Sequence, residues 1–163
     1  MNVPSASLVV GVDGSPGSHR ALLWAAAEAA RRGSPLVAVT AWTWDGIEQF
    51  PLAPATRDEA RAHAEQGQEA ELAPVLAEHP DLQVRREVVE GDAAEALTRL
   101  AADAALLVLG SHGHSHLRHA LLGSVSERCV RHATCPVVIV PSPRPKPPPA
   151  LRDGDANLVA PLL

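Results

Sequence analysis

Tyrosine is absent from this chain of 163 residues, and there are only one phenylalanine, one methionine and two cysteines. Aromatic poverty forces an aliphatic core and leaves no stacking platform for single-stranded nucleic acid. Positive charge is also scarce: the net charge is −5 and the only lysine is Lys146. A balance of that sign gives no general attraction to nucleic acid or to anionic membrane, so neither is expected as a partner. No apolar run approaches the roughly 20 residues that cross a bilayer, and the opening MNVPSASLVVGVDGS has neither a basic n-region nor a long apolar h-region, so a cytoplasmic location is expected. Cys129 and Cys135 form no CxxC pattern and are expected to be reduced thiols rather than a redox pair. The GxxxxGK[ST] phosphate loop is missing as well.

What remains is a chain that is 46% hydrophobic, enough to fill the core of one domain. Ser7–Asp13 (SLVVGVD) is a short β-branched run that reads as a buried strand turning at Gly14. Ser15 as N-cap and Pro16 at the first helical position open an alanine-rich helix ending near Gly33. Leu36–Trp42 is a second strand. A loop carrying Pro51 and Pro54 leads to a polar helix from about Arg57 to Glu78, which Pro74 should bend or break. Leu82–Val89 is a third strand, near an edge by its partial alternation. Asp92 caps a short helix, with Glu95 completing a capping box. Leu106–Leu109 is a fourth strand, Ser124 and Glu127 suggest a second capping box opening a helix to about His132, and Val137–Val140 is a fifth strand. Strand and helix alternate throughout. The expected fold is therefore α/β, a single-domain, doubly wound, five-stranded parallel sheet with helices on both faces. Residues 1–141 form the expected domain. Residues 141–163 hold seven of the fifteen prolines and no apolar period, so 142–163 read as a proline-rich, disordered tail.

The segment richest in chemistry is LLVLGSHGHSHLRHALLGSVS, Leu106–Ser126. An apolar strand runs into a loop with Gly110 and Gly113, and Gly123-Ser124 opens a helix. Glycines let backbone N–H groups approach an anion, and a helix N-terminus adds unpaired donors and about half a positive charge. Ligands in open parallel sheets gather at the carboxyl ends of strands where the strand order reverses. If strands one and four are neighbours there, Gly11–Gly17 and Gly110–Gly123 face one crevice.

Gly110, Gly113, Gly123 and Ser124 match the pattern G-x2-G-x9-G-[ST] without gaps, and in this the chain resembles the bacterial universal stress proteins. VVGVDGS (Val9–Ser15), LVAVTAW (Leu36–Trp42) and CPVVIVP (Cys135–Pro141) resemble that family's first, second and last strands in order. The resemblance covers about Leu8–Pro141. It implies a Rossmann-like sheet of the adenine-nucleotide α-hydrolase type that binds ATP, with or without Mg²⁺. It implies that Gly110, Gly113, Gly123 and Ser124 hold phosphates and ribose, with Val125 and Ser126 extending the phosphate contacts. It further implies that Asp13 contacts the nucleoside, that the backbone at Thr40-Ala41 meets the adenine edge, and that Val137–Val140 pairs with a second copy as a homodimer.

The loop departs from the family in carrying His112, His114, His116 and His119 around Arg118. Three readings stay open: a metal cluster, solvated side chains, or groups facing bound phosphate. No catalytic residue and no metal ligand is assigned. Phosphoryl transfer needs an in-line nucleophile and a cationic clamp, which neither Asp13 nor Arg118 supplies alone. The expected function is an ATP-binding stress-response module with little or no catalysis. The alternatives are a slow ATP hydrolase, a His-loop metal binder, and a nucleotide-free adaptor. Trp42 and Trp44 read as pocket wall or loop packing. Asp92 reads as a cap and Asp103 as a helix-end residue. Asp58 and Glu59 read as a solvated helix start rather than an acid/base pair.

Overall fold

The computed structural model describes residues 4–44, 56–113 and 122–142. Strand and helix alternate as β1 (Leu8–Gly11), α1 (Pro16–Arg32), β2 (Leu36–Trp42), α2 (Arg57–Glu78), β3 (Val84–Glu90), α3 (Ala93–Leu100), β4 (Leu106–Gly110), α4 (Ser124–His132) and β5 (Val137–Val140). The five strands lie in the order β3-β2-β1-β4-β5, every pair parallel. The chain thus builds outward from β1 to β3 and then returns to the other side of β1. Strand order reverses between β1 and β4, and the two strands are hydrogen-bonded neighbours with Leu8 opposite Leu106.

Strand alternation divides the core in two. Leu8 and Val10 point to the face covered by α1 and α2, against Ala21, Leu22, Ala25, Ala26, Ala29, Leu72 and Val75. Val9, Val37, Val39, Leu107 and Leu109 point to the other face, against Ala94, Leu97 and Cys129 of α3 and α4. Burial on both sides explains why β1 and β4 read as unbroken apolar runs. The alanines of α1 recur at helical spacing, so that helix carries little bulk between itself and the sheet.

Local chemistry sets the helix ends. Ser15 Oγ accepts from Ser18 N at 3.1 Å, Pro16 occupies the first turn, and Gly33 closes α1 in the left-handed region at φ 63°. Thr56 caps α2 by accepting from Glu59 N at 3.2 Å, which puts Asp58 and Glu59 in the first turn at the positive end of the helix. Asp92 Oδ1 accepts from Glu95 N at 2.9 Å.

Three expectations change. Helix α2 runs on through Pro74. Proline there removes one backbone donor in the last turns, while Leu72 and Val75 on either side are almost wholly buried and hold the helix to the sheet. Strand β3 starts at Val84 rather than Leu82, because Leu82 N donates to His79 O at 3.0 Å in the preceding turn. Helix α4 is capped by Gly123, not Ser124: Ser124 is already helical, and among the described residues the helix has no side-chain cap hydrogen bond.

Candidate functional site

A cleft of about 300 Å³ opens beyond the carboxyl ends of β1 and β4, where the strand order reverses. Its walls include Val39, Ala93, Leu97, Leu109 and Val125, and its polar lining comes from Asp13, Ser15, Ser18, His112, Ser124 and Ser126. A larger cavity of about 450 Å³ lies at the other end, between the α1–β2 turn and the α2–β3 loop. That cavity meets Glu78, Asp81 and the C-terminus of α1, a negative environment that disfavours a phosphate.

Two loops form the floor of the cleft. After β1, Asp13 Oδ1 accepts from Ser15 N at 2.9 Å, a side-chain turn that leads into the α1 cap. After β4, Ser126 Oγ donates to Gly110 O at 2.7 Å, and Gly123 N donates to Ser111 O at 2.7 Å, so the start of α4 is tied back to the end of β4. The Ser126 hydroxyl is thus committed to the loop, leaving its backbone N–H as the group it offers to the cleft.

The glycines here answer to crowding. The only described residues with positive φ are Gly14, Gly33 and Gly91. A Cβ on Gly110 would lie 2.6 Å from both the carbonyl carbon and the oxygen of Gly17, and a Cβ on Gly17 would collide with the carbonyl oxygen of His112. Gly110 and Gly17 therefore let the β4 loop and the first turn of α1 touch backbone to backbone. A Cβ on Gly113 would strike Asp13 Oδ2, whereas one on Gly123 would come no closer than 3.4 Å to His112 Cα. The role of Gly17 was concealed in the sequence, although a glycine inside a helix is itself a signal of close approach.

Of the residues expected at the site, Asp13, Ala41, Gly110, Gly113, Gly123, Ser124, Val125 and Ser126 line this one cleft. Thr40 does not. Its Oγ1 donates to Val12 O at 2.9 Å and accepts from Gln68 Nε2 at 3.1 Å, on the α2 side. Backbone direction separates the two residues as well. Leu36 N bonds to Gln83 O and Gly91 N to Trp42 O, so even-numbered residues of β2 face β3. Val12 N bonds to Val39 O, so odd-numbered residues face β1. Ala41 accordingly turns both its N–H and its C=O toward the side where β1 has ended, into the cleft.

Helix α4 presents its first turn to the cleft through Ser124, Val125 and Ser126, and among the described residues no side-chain cap is bonded to those amides. Arg128 Nη1 reaches Asp92 Oδ2 at 2.6 Å, fastening α4 to the start of α3. That guanidinium, together with the Glu95 N–H, holds the Asp92 carboxyl below its usual range. Trp42 is half-buried and Trp44 is 41% exposed, and neither lines the cleft. His112 does; His114, His116, Arg118 and His119 lie outside the described residues. Among the described residues no three His, Cys, Asp or Glu side chains form a metal-holding group. No helix among them is long and apolar enough to cross a membrane.

The alternating strands and helices with a crevice at the topological switch point, floored by one aspartate turn and one glycine loop, define a doubly wound α/β fold. The universal stress protein family matches residues 6–141, and the chain belongs to it. A universal stress protein of Mycobacterium tuberculosis (strain H37Rv) is 40% identical over 151 residues, covering 90% of this chain and 47% of the relative. The chain spans about half the length of the curated relatives it matches. Among solved structures, a universal stress protein in complex with cAMP is 29% identical at a TM-score of 0.58, covering 83% of this chain and 96% of that one. UspA from Lactobacillus plantarum shares the fold at a TM-score of 0.68 and 23% identity, covering 85% of this chain and 99% of that one.

Proposed function

We propose that the chain is an adenine-nucleotide-binding module that takes ATP in the β1/β4 cleft and turns it over slowly or not at all. The observation that carries this reading is the α4 N-terminus. Three first-turn residues without a side-chain cap face the same cleft as the glycine loop, an arrangement suited to a phosphate chain. Ala41 offers a donor and an acceptor side by side, matching N1 and the 6-amino group of adenine. Val39, Leu97 and Leu109 supply the apolar wall for a base, and Asp13 sits beside Gly113 within reach of a ribose hydroxyl or a phosphate-bound cation. Among the described residues Asp13 is the only carboxylate lining the cleft, so Mg²⁺ would arrive chelated by the triphosphate rather than in a protein cage. No lining residue is a lysine or an arginine, so the cationic clamp that phosphoryl transfer needs is missing from the described wall. The proposed setting is a cytoplasmic homodimer paired through β5.

A second reading has one specific support: the 29%-identical relative is in complex with cAMP. Calorimetry with ATP and cAMP distinguishes the two. The Gly113→Val, Gly123→Val double variant should lose ATP binding while its circular dichroism spectrum is unchanged. Unaltered ATP affinity in that variant removes the phosphates from this loop, and tighter binding of cAMP than of ATP makes the cyclic nucleotide the ligand. Conversion of ATP to ADP by the purified chain, lost in the same variant, would establish the hydrolase alternative.

A further inference from the structure

Beyond β5, Ser142 occupies a built position. Val138 and Val140 point to the α1 face of the sheet, and strand alternation carries the Ser142 side chain to that same face. Its backbone is fixed by Ser142 N donating to Ser111 Oγ at 3.1 Å, and its hydroxyl accepts from Arg20 Nη2 at 2.9 Å. Ser111 Oγ lies 3.4 Å from Ser142 Oγ and 3.2 Å from His112 Nδ1, and having accepted from Ser142 N it retains its own proton to give. Ser142 itself is exposed, with prolines on both sides in sequence, Pro141 and Pro143, and Arg144 and Lys146 following.

Arg20 is the unusual partner. Among the described residues it makes no ion pair, and its Nε is buried without an acceptor. The Nε–H and Nη2–H bonds of a guanidinium run parallel and suit two oxygens of one oxyanion. Arg57 uses that same pair of nitrogens on the carboxylate of Glu90 in this protein. At Ser142 a single hydroxyl engages one tooth of the fork and leaves the buried tooth unmet. A tetrahedral oxyanion on Ser142 Oγ supplies the missing acceptor.

We propose that Ser142 is a phosphorylation site and that Arg20 and Ser111 form its receptor. A separate protein kinase supplies a nucleoside triphosphate. Ser142 Oγ attacks the terminal phosphorus, the new Oγ–P bond forms, the bond from that phosphorus to the bridging oxygen breaks, and nucleoside diphosphate leaves. The hydroxyl proton passes to the kinase's base, with no change of oxidation state. The phosphate then accepts from Arg20 Nε and Nη2 and from the Ser111 hydroxyl, adding about 1.5 to 2 negative charges at the end of β5. The site stands whether or not the cleft takes a nucleotide.

Phosphoserine placed at position 142 during translation gives the full chain in modified form, and ³¹P NMR follows its titration. The Arg20 fork favours the dianion, so the second phosphate pKa should fall by about one unit from its ordinary value near 6, and Arg20→Gln should restore it. Arg20→Lys should restore part of it, since one ammonium cannot fork. A pKa unmoved by Arg20→Gln overturns the receptor. Occurrence is tested on chain isolated from its native cells during growth and starvation. Intact-mass and peptide mass spectrometry should find a phosphate on Ser142 that Ser142→Ala removes, and its absence in both states overturns the modification.

Discussion

Single residues in this protein act by refusing volume. Gly110 and Gly17 are needed because two backbones meet, so Gly110→Ala must push the β4 loop off α1. It is expected to cost about 1–3 kcal/mol, the usual penalty for overpacking, in urea denaturation. Gly123→Ala, with its nearest neighbour at 3.4 Å, should be close to neutral by the same measurement. Equal losses in the two variants would mean that crowding is not what these glycines relieve. Cys129 shows the same dependence on burial. It is fully buried, and desolvation pushes its thiol up to about 11 from an ordinary 9.0. Ellman's reagent at pH 8 should therefore leave Cys129 unmodified in the native chain and label it once the chain is unfolded. The same shift has a sign in stability. Folding favours the neutral thiol, so its contribution is full below about pH 9 and is lost as pH rises toward 11. Rapid native labelling of Cys129 would contradict its burial.

At the scale of elements, β5 is, among the described residues, both the last strand and an edge. Its side chains already pack on the two faces, Val138 and Val140 on one and Val137 and Ile139 on the other. What the edge offers a second copy is therefore chiefly backbone. Leu107 N bonds to Pro136 O and Ser111 N to Val140 O, so even-numbered residues of β5 face β4 and Val137 and Ile139 turn their amides outward. Val137→Pro removes one outward donor and no bond to β4. If the proposed homodimer pairs through this edge, the variant should sediment as a monomer at micromolar concentration while its melting temperature in the monomer range is preserved. A wild type that is monomeric there, or a dimeric proline variant, counts against the pairing. A lysine at Val138 would test this poorly, because that side chain belongs to the core beneath α1.

For the whole molecule, the separable part is expected to be the proline-rich end. Its composition lacks the apolar surface needed to offset about 1–2 kcal/mol of backbone entropy per ordered residue. A chain ending at Pro143 should keep its melting temperature and its ATP affinity. A fall of several degrees, or a tenfold loss of affinity, would show that residues 144–163 dock, with Leu158, Val159 and Leu162 the apolar groups to examine. The relatives at about half coverage make the same chain the natural unit for comparison: adding a second copy in tandem should leave each cleft's affinity unchanged unless the clefts interact.

Local pattern alone determined the order and type of the nine elements found among the described residues. Buried parallel strands need continuous aliphatic runs, helices need a 3.6-residue stripe, and Gly33, Ser15, Thr56 and Asp92 act on their immediate neighbours. The glycine loop and Asp13 were legible for the same reason, as short segments whose chemistry is carried in order. Other features depended on groups distant in sequence. Pro74 stays helical because Leu72 and Val75 are pinned to the sheet, and Ser124 yields the cap to Gly123 because the loop is tied to Ser111 and Gly110. Thr40 turns from the cleft because Val12 and Gln68, each 28 residues away, claim its hydroxyl. Arg20 and Ser142, separated by 122 residues, meet only because the strand order places β5 beside β4 under α1. A sequence carries propensity and period; which carbonyl or guanidinium stands opposite a given atom is decided when the sheet closes.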